Sequence, residues 1–399
     1  MDSKPLRVCF LADTHDLFDD RIYWKEALSL KKWGYEVHYI LAGENEDSGT
    51  TAEGIHYQII KRDRFPGNRI VNYIWKRWLP SGLYPRMFIA AKNAGAGIYH
   101  LHDLRVNRIG NKLRKLPHRP KVIYDVHEPY PENISDYGPS KGFGKLLSKI
   151  HSCYIRWWEK SRVRNYDLFI TTEENLQRRF QQYFPGKPVE IIYNYTNLPA
   201  TSEIPESCEK QYDFIYTGGI TRLRGALRIL EAAAIVKRSL PDFRLLFVGT
   251  WFPKALKNEM EAFIRDHELQ TNIELKEWVP FNEIAGYYRK SRIGLGIFLP
   301  VETHRIILQI KIFEYMNFGL PVIGSNFGHI HSIITQHRCG LTVDPEKPSA
   351  IAEAMMKLLT DVDLRDSHGR NGQQAVDRYF RWELMEKKLT DIYNNLIQP

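Results

Sequence analysis

Between Phe298 and Val343 the chain reads FLPVETHRIILQIKIFEYMNFGLPVIGSNFGHIHSIITQHRCGLTV. A strand end, a helix, a short strand at Pro321–Ile323, a second helix and a strand at Gly340–Val343 follow one another, which specifies α/β architecture with a parallel sheet. Apolar Ile307, Ile310, Phe313 and Met316 recur at helical spacing, so the first helix has a buried face. Gly319 sits where that helix ends, and Pro321 cannot extend it. Lys311 and Glu314 ride on this helix, with Glu314 in its last turn at the C-terminal edge of the sheet. Open α/β sheets bind ligands at that edge. An ionised Glu there accepts two hydrogen bonds and suits sugar or ribose hydroxyls; the alternative is a solvated Glu on an amphipathic helix.

The rest of the chain has the same grammar. Leu6–Ala12 reads as a strand, Ile22–Trp33 as a helix stopped by Gly34, and Glu36–Leu41 as the next strand, a βαβ opening. Residues 43–69 look like loop and edge strand, and 70–93 and 141–164 look helical. Further strands are expected at Ile98–His102, Lys121–Val126, Leu168–Thr172 and Val189–Ile192. In the second half, strands are expected at Tyr212–Thr217, Arg244–Gly249, Ile273–Lys276 and Ile293–Phe298. The helices there are about Gly225–Ser239, 253–267, Asn282–Ser291, Ala350–Leu359 and Trp382–Leu396. At 399 residues the chain exceeds one typical core. The polar LPATSEIPESCEK (198–210), with two prolines, reads as a linker. The expected division is 1–197, a linker at 198–210, 211–380, and a terminal helix over 381–399.

Four cysteines without a CxxC pair argue against a zinc site or a disulfide framework and fit a reducing compartment. The N-terminus enters a strand almost at once, without the apolar core of a signal peptide. No run approaches the ~18 apolar residues of a membrane span. A cytoplasmic protein is expected. Residues 1–195 hold 31 Lys+Arg against 22 Asp+Glu, whereas the remainder is balanced at 25 and 25. The whole excess of +9 therefore sits in the first half, which points to an anionic partner such as a membrane surface or a phosphorylated acceptor. The Trp-, Arg- and Lys-rich stretches at 69–92 and 141–164 suit a membrane interface. Single-stranded nucleic acid is the weaker fit, because no reader motif accompanies them.

Four constellations carry potential chemistry. In YTGGITRLRG (216–225) a strand ends in Gly218 and Gly219, and a helix follows Arg222 and Arg224. Glycine lets backbone N–H groups approach a phosphate, a helix N-terminus favours an anion, and guanidinium forks match phosphate oxygens; the alternative is an ordinary turn with solvated arginines. His100, His102 and Asp103 stand at one strand end, and DVHE (125–128) at the next, where they could orient or deprotonate a hydroxyl. His100 reads as a core histidine facing away from His102. No compact metal-ligand spacing such as HExxH appears, so no metal is expected. Asp16, Asp19, Asp20 and Arg21 form a charged first loop that either bounds a site or caps a helix.

Taken together these segments, with IYHLHDL, VIYDVHEPYPE, FIYTGGITRLRGALRILEAA and KIFEYMNFGLPVIGSNFG among them, resemble the family 4 retaining glycosyltransferases of group 1 type. The resemblance implies the GT-B fold, two Rossmann-like doubly wound domains facing across a cleft. The N-terminal domain would bind the acceptor and the C-terminal domain a nucleotide-diphosphate sugar, with the last helix returning toward the N-terminal domain. Matched position by position, Glu314 is the second Glu of the family's Glu-x7-Glu motif and would hold the ribose. Arg224 stands at the diphosphate-binding Lys. Gly219 replaces a partner Arg, for which Arg222 is a nearby substitute. The donor set implied is Gly218, Gly219, Arg222, Arg224, Lys311 and Glu314. His102 matches the histidine beside the transferred sugar; His127 and Glu128 match the acceptor-side strand end, with Asp19 and Arg21 also on the acceptor side. Three departures stand out. Ile306 replaces the first Glu, with Glu302 as a loop substitute, Ser332 replaces a frequent acidic residue, and the usual glycine-rich first loop is absent.

The expected activity is metal-independent, cofactor-free, retaining hexosyl transfer from a nucleotide sugar, a UDP-sugar, to a glycan or lipid-linked hydroxyl in cell-surface polysaccharide assembly, at an anionic inner membrane surface and without nucleic acid. Two alternatives stay open: a catalytically silent partner subunit, and a sugar-nucleotide epimerase or hydrolase on the same fold.

Overall fold

A computed structural model of the chain describes residues 6–63, 82–138, 142–198 and 209–397. The Trp-rich part of the stretch expected at 70–93 and most of the expected linker, 199–208, lie outside them. The chain forms two compact units: the residues up to Tyr193 together with those from Met385 on, and Asn194–Leu384.

The first unit is built on strands β1 (Arg7–Ala12), β2 (Glu36–Gly43), β3 (Asp47–Thr50), β4 (His56–Lys61), β5 (Ile98–His102), β6 (Lys121–Val126), β7 (Leu168–Thr171) and β8 (Val189–Ile191). They lie in the order β3-β4-β2-β1-β5-β6-β7-β8. All pairings are parallel except that of β3 with β4 at one edge. From β1 the chain winds outward in both directions, so the order reverses between β1 and β5, the kind of switch point where ligand crevices form. The second unit has β9 (Tyr212–Ile220), β10 (Leu245–Trp251), β11 (Ile273–Glu277), β12 (Ser291–Gly296), β13 (Val322–Ser325) and β14 (Gly340–Val343), in the order β11-β10-β9-β12-β13-β14, all parallel. Here the reversal falls between β9 and β12.

Parallel strands covered on both faces must be apolar throughout, which is why they read as continuous runs. Tyr99, Tyr124 and Phe169 are buried in the first core; Phe214, Tyr216, Leu245, Phe247, Ile293 and Leu295 are buried in the second.

The structure redraws several helices. The expected helix Ile22–Trp33 is a π-helical turn, Ile22–Ala27, followed by an α-helix, Leu28–Lys32. The wide turn closes with Glu26 N–H donating to Arg21 O at 2.9 Å, and both side chains are buried. The helix carrying Lys311 and Glu314 spans Ile310–Asn317, and Ile307 is extended backbone after a short helix, Glu302–Ile306. A helix at Val362–Tyr379, unforeseen from the pattern, packs where a Cβ on Gly369 would stand 2.3 Å from Gly319 O. The last helix, Trp382–Ile397, secures the first unit through its later residues. Tyr35 donates to Asn394 Oδ1 at 3.0 Å, and Tyr393 OH lies 2.7 Å from His100 Nδ1.

Candidate active site

In the second unit the donor-side candidates gather at the C-terminal end of β9. Gly218 takes φ +96°, a left-handed conformation natural only to glycine. A Cβ on Gly218 would lie 3.7 Å from Lys311 Nζ, and one on Gly219 would lie 2.8 Å from Arg224 Nη1. The Arg224 guanidinium therefore covers the place a side chain at 219 would need. The Lys311 ammonium is buried 3.6 Å from the centroid of the Tyr216 ring and has no hydrogen-bond partner among the described residues. Burial, reinforced by the Arg224 charge and opposed by Glu314, pushes its pKa well below the usual lysine value. Lys311 and Glu314, three residues apart, share one helix face. Glu314 Oε2 accepts from Tyr288 OH at 2.5 Å, and Tyr288 OH is 3.1 Å from Thr217 Oγ1, so the carboxylate is tied to β9.

Arg222 does not join this group through any contact described. Its Nη1 donates to Glu259 Oε1 at 2.6 Å on the surface of the helix Ala255–Asp266. Ile306 is buried, whereas Glu302 is exposed in the first turn of its short helix. Ser332 is exposed and bonds Gly328 O.

The first unit places its candidates at the ends of β1, β5 and β6. His102 Nδ1 and His127 Nε2 are 3.3 Å apart, and His127 Nε2 is 3.2 Å from Asp125 Oδ2. Asp103, at φ +70°, is the hub. Its carboxylate accepts from Thr14 and Tyr130, lies 2.5 Å from His15 Nε2, and stands 3.5 Å from His127 Nδ1. A non-glycine residue held in this conformation is strained, and such strain collects at functional sites. Glu128 accepts from Asn133 Nδ2 at 3.2 Å in the following helix, Tyr130–Asp136. Burial lowers the pKa of His102 to about 4, against the pull of Asp125, so it is a neutral imidazole at physiological pH.

Two expectations are corrected. His100 and His102 do not face apart: their rings stack with centroids 4.3 Å from one another, because residues i and i+2 of a strand share a face. His100 is a core histidine as expected, fully buried against Tyr393. Arg21, expected on the acceptor side, is 3% exposed and points inward. It forks onto Asp125 at 3.0 and 3.2 Å, because that buried carboxylate needs a countercharge, and reaches Glu26 at 2.9 Å. Asp19 caps the turn that follows, accepting from Arg21 N and Ile22 N at 2.9 Å, and also meets His15 Nδ1 at 2.6 Å.

Ligand atoms of His15, Asp103 and His127 lie within 4.8 Å of one another, as do those of Glu26, His100, His102 and Asp125. In the second group the Arg21 guanidinium supplies the positive charge a cation would bring. In the first, both His15 nitrogens already meet carboxylates. His15 itself escaped the sequence reading, since nothing marks it until the fold brings Asp103 to it.

His15 gives a pH signature. Burial works against its proton, but the hydrogen bonds to Asp103 and Asp19 prevail and raise its pKa from 6.5 to about 11. A raised folded-state value contributes stability in full below pH 6.5, and the contribution is lost as pH rises toward 11. The stability gap between wild type and His15→Gln should therefore be widest near about pH 6 and shrink steadily through about pH 10, as read from urea midpoints. A gap independent of pH would mean that His15 is not held as an imidazolium.

Two doubly wound parallel α/β units, each with charged side chains at its strand C-termini, define the GT-B class. The family model described as Glycosyltransferase Family 4 matches residues 24–198, and that described as Glycosyl transferases group 1 matches residues 211–361. This chain belongs to the group 1, family 4 glycosyltransferases. Among curated relatives, it is 25% identical over 185 residues to D-inositol 3-phosphate glycosyltransferase of Corynebacterium urealyticum, covering 45% of this chain and 42% of that one. Across the first four such relatives the matched stretch spans between 41% and 72% of their length. Sucrose-phosphate synthase from Thermosynechococcus elongatus superimposes with a TM-score of 0.73 at 17% identity, covering 98% of this chain and 99% of that one. Anabaena HepE in complex with UDP-glucose gives 0.70 at 12% identity, covering 98% and 100%.

Proposed function

We propose that this glycosyltransferase moves a sugar, with retention, from a UDP-sugar to a hydroxyl of a glycan or lipid-linked acceptor in cell-surface polysaccharide synthesis. The observation that carries the donor assignment is the buried Lys311 ammonium beside Arg224, over two glycines at the end of β9. The Lys311 and Arg224 cations side by side suit a diphosphate, whose charge grows as the sugar departs. Fixed cations meet this need without a metal ion. Glu314, held by Tyr288, accepts the ribose hydroxyls. UDP is the favoured nucleotide because structurally similar proteins were solved with it.

Among the described residues no carboxylate stands out as a nucleophile, and attack on the same face is the reading we favour, with the leaving phosphate taking the acceptor's proton. Neutral His102 orients the sugar, and His127, Glu128 and Asp19 serve the acceptor side. The test is a calorimetric screen of UDP, GDP, ADP and CMP. One nucleoside diphosphate should bind, and Arg224→Ala and Glu314→Ala should each weaken it tenfold or more, about 1.4 kcal/mol. Failure of all four to bind folded protein would overturn the donor site and favour a silent subunit. Release of free sugar or an epimer without acceptor would instead favour the hydrolase or epimerase.

A further inference from the structure

The helix Gly142–Val163 is amphipathic in the wrong sense for a protein core. Its buried side holds Ser148, Ser152, Trp158, Glu159 and Val163. Its outward side holds Phe143, Leu146, Leu147, Ile150, Tyr154 and Trp157, which are 39–73% exposed. At 100° per residue these six fall within an arc of about 100° and run for about 21 Å along the axis. The inward side is already fully engaged. Ser152 Oγ donates to Pro131 O at 2.6 Å, and Tyr124 OH donates to Glu159 Oε1 at 2.7 Å. The helix therefore cannot roll its apolar stripe inward without breaking buried hydrogen bonds. A contiguous apolar stripe of this length is unusual on a free surface.

Charge identifies what covers it. The helix carries Lys145, Lys149, Arg156, Lys160 and Arg162, all exposed, and its one acidic residue, Glu159, is buried. Arg156 is paired with Glu132 at 2.8 Å, which leaves Lys145 and Lys149 as the cations outside any described ion pair near the stripe's first half. Apart from Cys153, the fully exposed side chains of this helix are thus apolar or positive. That is the pattern of a helix lying in the plane of an anionic bilayer, with its apolar side at the acyl boundary and its lysines among the headgroups. A second copy of this chain fits poorly, since a two-fold contact through the stripe would set these lysines against their own kind. No helix among the described residues is long and apolar enough to cross a membrane.

We infer that the helix Gly142–Val163 is an in-plane docking element for anionic lipid. This rests on the first unit's surface alone and is independent of the donor assignment. The test is flotation of the full chain with phosphatidylcholine vesicles, with and without phosphatidylglycerol. Wild type should float with the anionic vesicles, and less so as salt rises. Leu146→Ser/Ile150→Ser/Trp157→Ser should lose roughly tenfold or more of that partition, and Lys145→Glu/Lys149→Glu should lose the preference for phosphatidylglycerol. Nucleoside diphosphate binding and thermal midpoint, unchanged in both variants, confirm the fold. Brominated lipid should quench wild type more than Trp157→Phe. Equal flotation of wild type and the stripe variant, or none by wild type, would overturn the proposal. So would a wild-type dimer that the stripe substitutions convert to a monomer.

Discussion

Lys311→Met should cut kcat/KM for the sugar donor by about 10²- to 10³-fold, the usual result of removing one preorganised charge from a transition state, while leaving the protein at least as stable as wild type. The two halves of this expectation come from one fact. Lys311 is 8% exposed, and its ammonium is buried with no hydrogen-bond partner among the described residues. Its compensation is the Tyr216 face at 3.6 Å, with Phe298 at 5.4 Å. A desolvated cation–π contact contributes about 2 kcal/mol, whereas burying an ion costs several. The Arg224 charge adds repulsion, and the depressed pKa reports the sum. Methionine keeps the length and apolar stem and removes the charge. Steady-state kinetics and a thermal melt on the same two proteins decide the matter. A clear fall in melting temperature with kinetics intact would make Lys311 a structural residue and remove it from the donor site.

Arg21→Met should do the opposite, destabilising the first unit by about 3–5 kcal/mol. At about 2–4 °C per kcal/mol for a unit of this size, that is a drop on the order of 10 °C. Arg21 bridges Asp125 and Glu26, and all three are almost wholly inaccessible to solvent. Burial raises the pKa of Glu26 well above its usual value, against the Arg21 charge. Asp125 is buried too, but the Arg21 guanidinium overcomes that and holds its pKa well below normal. One cation thus balances one firmly ionised carboxylate, and its loss strands Asp125. Adding Asp125→Asn to Arg21→Met should recover most of the loss, as read from paired melts. A single variant that melts like wild type would show that the pair contributes nothing, and the double variant then has nothing to restore.

What could be read beforehand follows the range over which each interaction acts. Strands and the helix bearing Glu314 were legible because their apolar period is local. Lys311 and Glu314 were placed on that helix for the same reason. The role of Arg21 was not legible, since its partner Asp125 is 104 positions away and only the adjacency of β1, β5 and β6 joins them. His100 and His102 were given opposite faces against the two-residue period of a strand, and the stacked rings restore it. The helix Val362–Tyr379 was missed because Gly369 and Gly372 lie on its buried side, where close backbone approach replaces the apolar side chains a periodicity search needs. Asp103 as a hub depends on four partners brought together by folding.

The last helix bears on how this protein is made. Tyr393 caps His100 and Asn394 receives Tyr35, so the first unit needs residues that follow the entire second unit in the chain. At about 5–20 residues per second, the ribosome delivers them roughly 10–40 s after Tyr193. Throughout that interval the nascent first unit lacks the cap over His100, and it closes only once Tyr393 and Asn394 have emerged.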